Sequence, residues 1–267
     1  MIKGFTLVIP LYNKVNAIRT TLDSVLNNHG IYPFKCIIID DDSTDGSSEI
    51  AEEYDTKHPD IFMYIKRKHH ERKTPIYARN LGIKLTETEY IGFLDADDEL
   101  CEGFIDRGCK FLDEHPEYSL YGNGNLIHKD IQSDVLNYNS YFDFYKRNSA
   151  PITTFLTLIL NGGFDVHWCA NIYKTELVKE NLFIDCYAED AVFKLKYMFK
   201  NEPFYIDDSF CESIKWNVFN RESTEWNTPK TDKSNVEEIF DTIQKEIPNF
   251  NYTIKCDVGN NFVVYVK

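Results

Sequence analysis

The sequence predicts an α/β fold in which a mostly parallel sheet is flanked by helices. The first half alternates short apolar runs with segments whose apolar residues recur at helical spacing. The apolar runs are continuous, which is typical of strands buried on both faces of a sheet. Two of them end directly in aspartate-rich segments, residues 40–42 and 95–98. Because ligands of such sheets bind at the carboxyl ends of the strands, both segments are candidate site residues.

The first half is predicted to form a β-α-β-α-β-α-β series with right-handed crossovers. Its strands, rich in apolar and β-branched residues, are predicted at residues 5–10, 34–39, 61–66 and 90–94. Its helices are predicted at residues 15–26, 45–54 and 75–85. The last helix has Pro75 in its first turn, where proline is tolerated.

The second half is less regular. Its expected elements are a strand and long loop within 117–150, a short helix at 153–160, a strand at 165–173, and helices at 189–199 and 236–246. Little periodicity is found between residues 208 and 235. Two β-rich runs flank residues 259–261, a pattern that predicts a hairpin.

The charge balance limits the class of partner. The 267 residues include 29 Lys and Arg against 43 Asp and Glu, a formal net charge of −14. Nucleic acid is not expected as a partner, because its binding relies on basic groups that displace counterions. An acidic protein that binds a phosphate-bearing substrate needs local positive charge, and a divalent metal is one source of it.

Cysteine usage and hydropathy indicate the compartment. Seven cysteines without Cys-x-x-Cys spacing indicate the reduced thiols of a cytosolic protein, rather than disulfides or a zinc site. The apolar run that ends at Pro10 is too short for a signal peptide, and no stretch approaches the ~20 apolar residues of a transmembrane helix. We therefore expect a cytoplasmic protein, compatible with peripheral contact at the inner face of a membrane.

Asp95 and Asp97 form an Asp-x-Asp pair directly after a predicted strand. In an extended chain their carboxylates lie on the same side and can share Mg²⁺ or Mn²⁺, whose open positions accept diphosphate oxygens. Such a metal neutralises charge on a leaving nucleoside diphosphate. The alternative is that Asp97 or Asp98 caps the helix that follows.

The segment 40–42 has two readings as well. One of its carboxylates could accept hydrogen bonds from a nucleobase or from ribose hydroxyls. It could equally cap the helix predicted to begin near Asp45. The residues alone leave both open.

Four motifs occur in order: Val-Ile-Pro-Leu-Tyr-Asn at 8–13, Ile-Asp-Asp-Asp-Ser-Thr-Asp-Gly-Ser at 39–47, Ala-Arg-Asn-Leu-Gly-Ile at 78–83 and Phe-Leu-Asp-Ala-Asp-Asp at 93–98. Together, in motif and in spacing, they resemble the inverting family 2 glycosyltransferases of GT-A fold. The resemblance is specific over roughly residues 4–115 and looser to about 225.

The resemblance implies a role for each motif. It assigns Pro10, Tyr12 and Asn13 to a loop that contacts the nucleotide, Asp41 to reading the base, Arg79 to the base or phosphate, Asp95 to the ribose or metal, and Asp97 to the metal as main ligand. The implied cofactor is Mn²⁺ or Mg²⁺.

The family's catalytic base usually lies in an acidic pair that opens a helix, which here resembles Glu189 and Asp190. Asp190 is the expected base and Glu189 its neighbour. The base takes the proton of the acceptor hydroxyl as that oxygen attacks the anomeric carbon, and one such displacement inverts its configuration. A neighbouring carboxylate or partial burial would raise the pKa of the base. From the residues alone, first-turn carboxylates favoured by the helix dipole are the simpler reading.

Several residues outside the motifs are weaker candidates. His167 and Trp168 precede the acidic pair, where they could contact the acceptor or equally belong to the core. Arg221 resembles part of a mobile segment that closes over the donor in relatives. The basic run at residues 66–73 could approach a diphosphate, an anionic acceptor or a membrane, although a solvated loop is the simpler reading.

Two departures from the family pattern stand out. Residues 71–77 lack the Asn-x-Gly often found there in relatives, so recognition of the base or sugar is expected to differ. Asp42 replaces a common glycine, and aspartate tolerates the backbone of a turn.

The expected function is metal-dependent transfer of a hexosyl or N-acetylhexosaminyl group from a nucleotide-diphosphate sugar to a glycan or lipid-linked saccharide. UDP is the default nucleotide, with dTDP and GDP open. We expect a GT-A domain at residues 1–225, with a nucleotide-sugar half at 1–115 and an acceptor half at 116–225, and an extension at 226–267. The alternatives are a nucleotidyltransferase on a related fold or a non-catalytic module that binds nucleotide sugars or carbohydrate.

Overall fold

The structure is a computed structural model, which describes residues 1–28, 30–68, 74–123, 126–128, 171–186, 189–201, 204–207, 214–216, 233–248, 250, 252–256 and 262–266. Its strands are β1 Ile2–Leu11, β2 Phe34–Asp40, β3 Phe62–Lys66, β4 Thr88–Phe93, β5 Glu99–Leu100, β6 Leu120–Asn123, β7 Leu126–His128, β8 Asn171–Lys174, β9 Tyr205–Asp207, β10 Ile214–Trp216, β11 Tyr252–Cys256 and β12 Phe262–Val266. Its helices are α1 Ile18–Leu26, α2 Ser47–Lys57, α3 Ile76–Leu85, α4 Phe104–Glu114, α5 Thr175–Lys179, α6 Glu189–Lys200 and α7 Lys233–Glu246.

The main sheet has seven strands in the order β3-β2-β1-β4-β8-β6-β9. Parallel pairing joins β3, β2, β1 and β4, and also β6 and β9, whereas β8 runs antiparallel to both β4 and β6. A mostly parallel sheet is thus confirmed. A second sheet joins β5, β10 and β7, and the predicted hairpin is present as the antiparallel pair β11–β12.

The central strands are buried on both faces, as their continuous apolar runs predict. Nearly all of β1 from Gly4 onward is buried, as are the last five residues of β2 and the last four of β4. One apolar core extends from these strands to α1, α4 and α6, and a smaller cluster on β2 packs against Ala78 of α3. Burial at this level restrains the strand ends, where the aspartate-rich segments begin.

Helix α3 packs unusually close to β1, and Gly82 makes this possible. A Cβ at Gly82 would lie 2.3 Å from Cγ1 of Val8, a residue with no exposed surface. The absence of a side chain therefore lets α3 lie directly against the central strand. The residues that precede Gly82 in α3 lie toward the carboxyl edge of the sheet, where Arg79 contacts Asp95 beyond the end of β4.

The structure corrects one expected helix start and adds a strand that was not predicted. The helix after the Asp-x-Asp pair begins only at Phe104, beyond β5, and is preceded by Gly103 with a φ of 73°. Capping of that helix by Asp97 or Asp98 is therefore wrong. The strand β10 was not predicted, because three residues in a polar segment leave no periodic signal.

Other predictions for the second half are tested only in part. The predicted helix at 153–160 lies outside the described residues. Of the strand predicted at 165–173, the structure describes β8. The helices predicted at 189–199 and 236–246 are confirmed as α6 and α7.

Helix α7 lies against α6. Phe240 and Phe250 are buried, and the ring of Phe250 packs edge-on against that of Phe199, with 5.3 Å between centroids. The buried Lys196 of α6 reaches Glu246 of α7 across 3.6 Å and donates to the carbonyl of Leu182 at 3.1 Å. The tail therefore supports the helix that begins with the acidic pair.

Candidate functional site

The loops after β1 and β2 are tied together at the carboxyl edge of the sheet. The Asn13 amide donates to Ser43 Oγ at 3.0 Å, and the Thr44 amide donates back to Asn13 Oδ1 at 2.9 Å. The Lys14 amide donates to Ser47 Oγ at 2.7 Å. Asn13 takes a left-handed conformation, with a φ of 48°. Pro10 and Tyr12, the other predicted residues of this loop, are half-buried beside it.

The aspartates after β2 divide between structural and candidate roles. Asp40 is fully buried and accepts hydrogen bonds from the Ser43 amide, Ser48 Oγ and Tyr64 Oη. The exposed Asp42 has a φ of 68°, the turn conformation that aspartate tolerates. Asp40 thus organises the corner. The helix itself begins at Ser47 after a glycine.

Asp41 is buried and forms an ion pair with Arg67, with 2.9 Å between Oδ1 and Nη1. Arg67 also lies over the ring of Tyr77, 5.4 Å from its centroid. This residue belongs to the basic run 66–73, whose favoured reading was a solvated loop. That reading is wrong for Arg67, whose side chain is 17% exposed because it is held between a carboxylate and an aromatic face. Residues 69–73 lie outside the described residues.

Asp95 and Asp97 face the edge of the sheet, but not from an extended chain as expected. The Asp98 amide donates to the Asp95 carbonyl at 3.0 Å, which makes this segment a turn. Thr21 Oγ1 holds the turn by donating to the Ala96 carbonyl at 3.0 Å. The turn buries Ala96 and Asp98 and leaves the two candidate carboxylates partly exposed, 31% for Asp95 and 15% for Asp97.

Arg79 joins two candidate groups that are far apart in the sequence. Its Nη2 donates to Asp95 Oδ1 at 3.0 Å and its Nη1 donates to Glu189 Oε1 at 2.9 Å. The side chain is 4% exposed and its guanidinium lies over the Phe183 ring, 5.4 Å from the centroid. A planar guanidinium suits two carboxylates at once. The end of β4 and the first turn of α6 are thereby brought to one site.

Asn80, the next residue of α3, fixes the segment that leads into α6. Its Nδ2 donates to the carbonyl of Phe183 at 2.9 Å, and its Oδ1 accepts from the amide of the same residue at 3.0 Å. The Phe183 ring in turn stacks on Phe193 of α6, with 4.0 Å between centroids. Arg79 and Asn80 together connect the first motifs of the chain to the acidic pair.

Glu189 and Asp190 open α6 and are both half-buried. Burial is the largest influence on Glu189 and raises its pKa above the ordinary value of 4.5; the charge of Arg79 opposes this rise and that of Asp190 adds to it. Because Glu189 is held by Arg79, its carboxylate has a structural partner. Asp190 follows it in the first turn of α6.

The pair Asp95 and Asp97 offers two carboxylates, a ligand type that Mg²⁺ and Mn²⁺ prefer, just beyond the end of β4. Within the described residues, no group of three or more His, Cys, Asp or Glu side chains could hold a metal. Mg²⁺ and Mn²⁺ suit one or two carboxylates completed by waters and phosphate oxygens, so two carboxylates are enough. One oxygen of each is taken by a cation of the protein: Asp95 by Arg79, and Asp97 by Lys14 at 2.8 Å.

Sequence reasoning missed three residues of this site, namely Lys14, Arg67 and Asn80. Lys14 adjoins a recognised motif and Asn80 lies within one, so their positions were signalled although their contacts were not. Arg67 had been read only as part of a charged run. Of the predicted residues, Arg221, His167 and Trp168 lie outside the described part of the chain.

Comparison with known proteins identifies the family. The sequence model described as "Glycosyl transferase family 2" matches residues 6–181. The minor teichoic acid biosynthesis protein GgaB of Bacillus subtilis is 35% identical over 112 residues, which cover 42% of this chain and 12% of that protein. The poly(ribitol-phosphate) beta-N-acetylglucosaminyltransferase TarS of Staphylococcus aureus is 26% identical over 215 residues, 76% of this chain and 34% of TarS. The chain thus matches about a third or less of these two relatives' length.

Solved structures share the fold. The crystal structure of S. aureus TarS with UDP-GlcNAc superposes with a TM-score of 0.68 at 19% identity, covering 92% of this chain and 67% of the other. The mannosyltransferase PcManGT of Pyrobaculum calidifontis, in complex with GDP-Man and Mn²⁺, gives 0.61 at 17% identity, covering 85% and 60%. The GT-A fold expected from the motifs is confirmed.

No helix among the described residues is both long and apolar enough to cross a bilayer. Four ordered motifs, a sheet whose carboxyl edge gathers them, and a family match over most of that region agree with one another. The chain therefore belongs to glycosyl transferase family 2.

Proposed function

We propose that this chain transfers a sugar from a nucleotide-diphosphate sugar to an acceptor hydroxyl, with inversion at the anomeric carbon. The observation that carries the proposal is the double ion pair of Arg79 with Asp95 and Glu189. These ion pairs hold Asp95, a candidate donor-binding carboxylate, next to the first turn of α6, which contains Asp190, the candidate base. A transferase needs both groups at one site, because donor and acceptor react there in a single displacement.

The donor half of the proposal rests on residues at the ends of β1, β2 and β4. Asp41 is the candidate for the base of the nucleotide, with Pro10, Tyr12 and Asn13 forming the adjoining loop. Asp95 and Asp97 would hold Mg²⁺ or Mn²⁺ with the diphosphate. Such a metal, when bound, stabilises the negative charge that develops on the leaving nucleoside diphosphate.

Asp190 is the proposed base. It would take the proton from the acceptor hydroxyl while that oxygen forms a bond to the anomeric carbon, and the bond from that carbon to the diphosphate oxygen would break. Glu189 is proposed as its positioning neighbour, because Arg79 already holds the Glu189 carboxylate. The two acidic residues of the pair would thus have different duties.

We propose a UDP-sugar as donor, because TarS is described in complex with UDP-GlcNAc; the GDP-Man complex of PcManGT keeps GDP-sugars on the list to test. The proposed acceptor is a hydroxyl of a glycan or lipid-linked saccharide. Two relatives are named for teichoic acid biosynthesis and for poly(ribitol-phosphate), which makes polyol-phosphate polymers a worthwhile acceptor class to include.

The proposal can be tested with two matched pairs of carboxylate-to-amide variants. Nucleotide binding would be measured by calorimetry with Mn²⁺ over a panel of UDP-, dTDP- and GDP-sugars, and turnover by release of the nucleoside diphosphate. Asp97→Asn is expected to abolish metal-dependent donor binding. Asp42→Asn, at an exposed carboxylate on the same edge, should bind the donor normally.

The second pair addresses the base. Asp190→Asn is expected to keep donor binding and to lose turnover by at least about 100-fold, whereas Glu189→Gln should retain more turnover than Asp190→Asn. Normal turnover by Asp190→Asn would show that the base is elsewhere. Tight donor binding by the wild type without turnover on any acceptor would favour a binding module instead.

A further inference from the structure

Lys14 lies in the loop after β1, next to the candidate metal ligands Asp95 and Asp97, which we call the metal corner. Its Nζ is 2.8 Å from Oδ2 of Asp97, and the two side chains are 24% and 15% exposed. None of the four family motifs includes this lysine, which directly follows the first of them. A cation of the protein therefore already contacts one of the two carboxylates expected to bind a divalent metal.

The backbone at Lys14 is fixed, whereas its side chain can move. Its amide donates to Ser47 Oγ, and the preceding Asn13 exchanges hydrogen bonds with Ser43 and Thr44. The ammonium group, by contrast, sits at the end of a flexible four-carbon stem that is partly exposed. Nζ can therefore change partners without any movement of the loop.

The other candidate ligand, Asp95, is paired in a different way. Its partner Arg79 is 4% exposed and is held by Glu189 and by the Phe183 ring. Because this arginine is buried and held on several sides, we expect its contact with Asp95 to be kept when ligands bind. Of the two cations at the metal corner, only Lys14 is placed to exchange one anion for another.

We propose that Lys14 is a donor-binding residue that serves two anions in turn, the Asp97 carboxylate before the nucleotide sugar arrives and the donor diphosphate afterwards. The proposal rests on the function proposed above, in which Asp97 and a metal hold that diphosphate. An ammonium group in contact with Asp97 would be close to the phosphate oxygens of a diphosphate whose metal is held by that carboxylate. Lys14 therefore competes with free metal for Asp97 and assists the metal once the diphosphate is present.

This exchange predicts effects of opposite sign for one substitution. In the absence of nucleotide, Lys14→Met should bind Mn²⁺ about two- to fivefold more tightly than the wild type, because a partly exposed ion pair contributes about this much. Binding is measured from the electron paramagnetic resonance signal of the free Mn²⁺ ion. At saturating Mn²⁺, UDP measured by calorimetry should bind about tenfold more weakly, because a charge-assisted contact to the diphosphate is lost. Lys14→Arg should restore UDP binding.

Lys66→Met is the matched control, because it removes one positive charge from the same edge of the sheet, near Asp42 rather than Asp97. It should leave Mn²⁺ binding within about twofold of the wild type. Equal tightening of Mn²⁺ in both variants would reduce the effect to net charge and overturn the proposal. Lys14→Gln repeats both measurements with a polar side chain should Lys14→Met fold poorly.

Two further outcomes separate this inference from the proposed function. If the wild type binds UDP with Mn²⁺ and Lys14→Met binds both ligands as the wild type does, or both more weakly, the role of Lys14 is refuted and the proposed function stands. If the wild type binds no nucleotide diphosphate at all, the proposed function fails and this inference fails with it.

Discussion

At the scale of single residues, Arg79 decides how the site is assembled. The Arg79 guanidinium keeps its charge although it is buried. The cost of burying this charge is offset by the two carboxylates that contact it, those of Asp95 and Glu189. Asp95 and Glu189 come from different halves of the chain and both stay partly exposed, which limits what their own desolvation costs. Arg79 therefore acts as an internal counterion between Asp95 beyond β4 and Glu189 in the first turn of α6.

Replacing Arg79 with methionine keeps a similar volume and removes the charge. We expect a loss of about 2–4 kcal/mol in the free energy of unfolding, because two carboxylates are left facing each other without a cation. Urea denaturation measures this loss, and Arg19→Met, at an exposed arginine paired with Glu53, is the control expected to change little. Equal losses in the two variants would show that Arg79 has no special role.

Glu189 gives a prediction for pH dependence. Its pKa in the folded protein is raised above 4.5, chiefly by burial, so the folded state favours the protonated carboxyl. Its contribution to stability is therefore fully present below the unfolded pKa and is lost as pH rises through the folded pKa. The stability of the wild type relative to Glu189→Gln should fall as pH rises above the ordinary pKa of 4.5, as measured by urea denaturation at a series of pH values. A rising difference would mean that Arg79 outweighs burial.

At the scale of elements, helix α3 is the connector. It contributes Arg79 to two carboxylates and Asn80 to the segment before α6, and Gly82 sets its distance from β1. All three residues belong to the motif at residues 78–83, which was recognised from the sequence. Close contact between α3 and β1 is thus a condition for the site geometry.

Gly82→Ala tests that contact. The new methyl group would meet buried Val8 at 2.3 Å, so we expect a destabilisation of about 1–3 kcal/mol by thermal or urea unfolding. Combining it with Val8→Ala should give a smaller loss than the sum of the two single variants, because the second change makes room for the first. Lys84→Ala, on the exposed face of α3, should change stability by no more than about 0.5 kcal/mol. Strict additivity would contradict the proposed clash.

At the scale of the whole molecule, positive charge is concentrated where the acidic chain needs it. Lys14, Arg67 and Arg79 each pair with a candidate site carboxylate, although the formal net charge is −14. The tail has a complementary duty, since α7 and Phe250 pack on α6, which begins with the acidic pair. We propose that α7 and Phe250 act as a support for that helix.

Phe250→Ala measures this support. Removing a ring that is 1% exposed should cost about 3–5 kcal/mol of stability. At temperatures below the unfolding transition, the turnover number should fall more than the affinity for UDP does. The reason is that the proposed base Asp190 lies on α6, whereas the candidate nucleotide-binding residues lie at the ends of β1, β2 and β4. Ile31→Ala, at a side chain that is 97% exposed, is the control expected to have no measurable effect on either quantity. An equal fall in UDP affinity would mean that the tail supports the whole domain instead.

The candidate site was predictable wherever a local pattern carried the information. Asp95 and Asp97 follow an apolar strand, so their place at the carboxyl edge could be anticipated. The turn that contains them could not be anticipated, because it depends on a hydrogen bond from Thr21 of α1 to the Ala96 carbonyl. Arg67 was misread for a similar reason: its partner Asp41 and the ring of Tyr77 come from two other segments.

The order and type of the first seven elements, the parallel character of the sheet and the place of the aspartate-rich segments at its carboxyl edge all follow from the printed residues, because apolar periodicity is a property of neighbouring positions. The folded chain alone settles which cation meets which carboxylate. Lys14 reaches Asp97 because β1 and β4 are neighbours in the sheet, and Arg79 reaches Glu189 because α3 meets the first turn of α6. That assembly depends on packing between segments distant in sequence, and no local pattern records it.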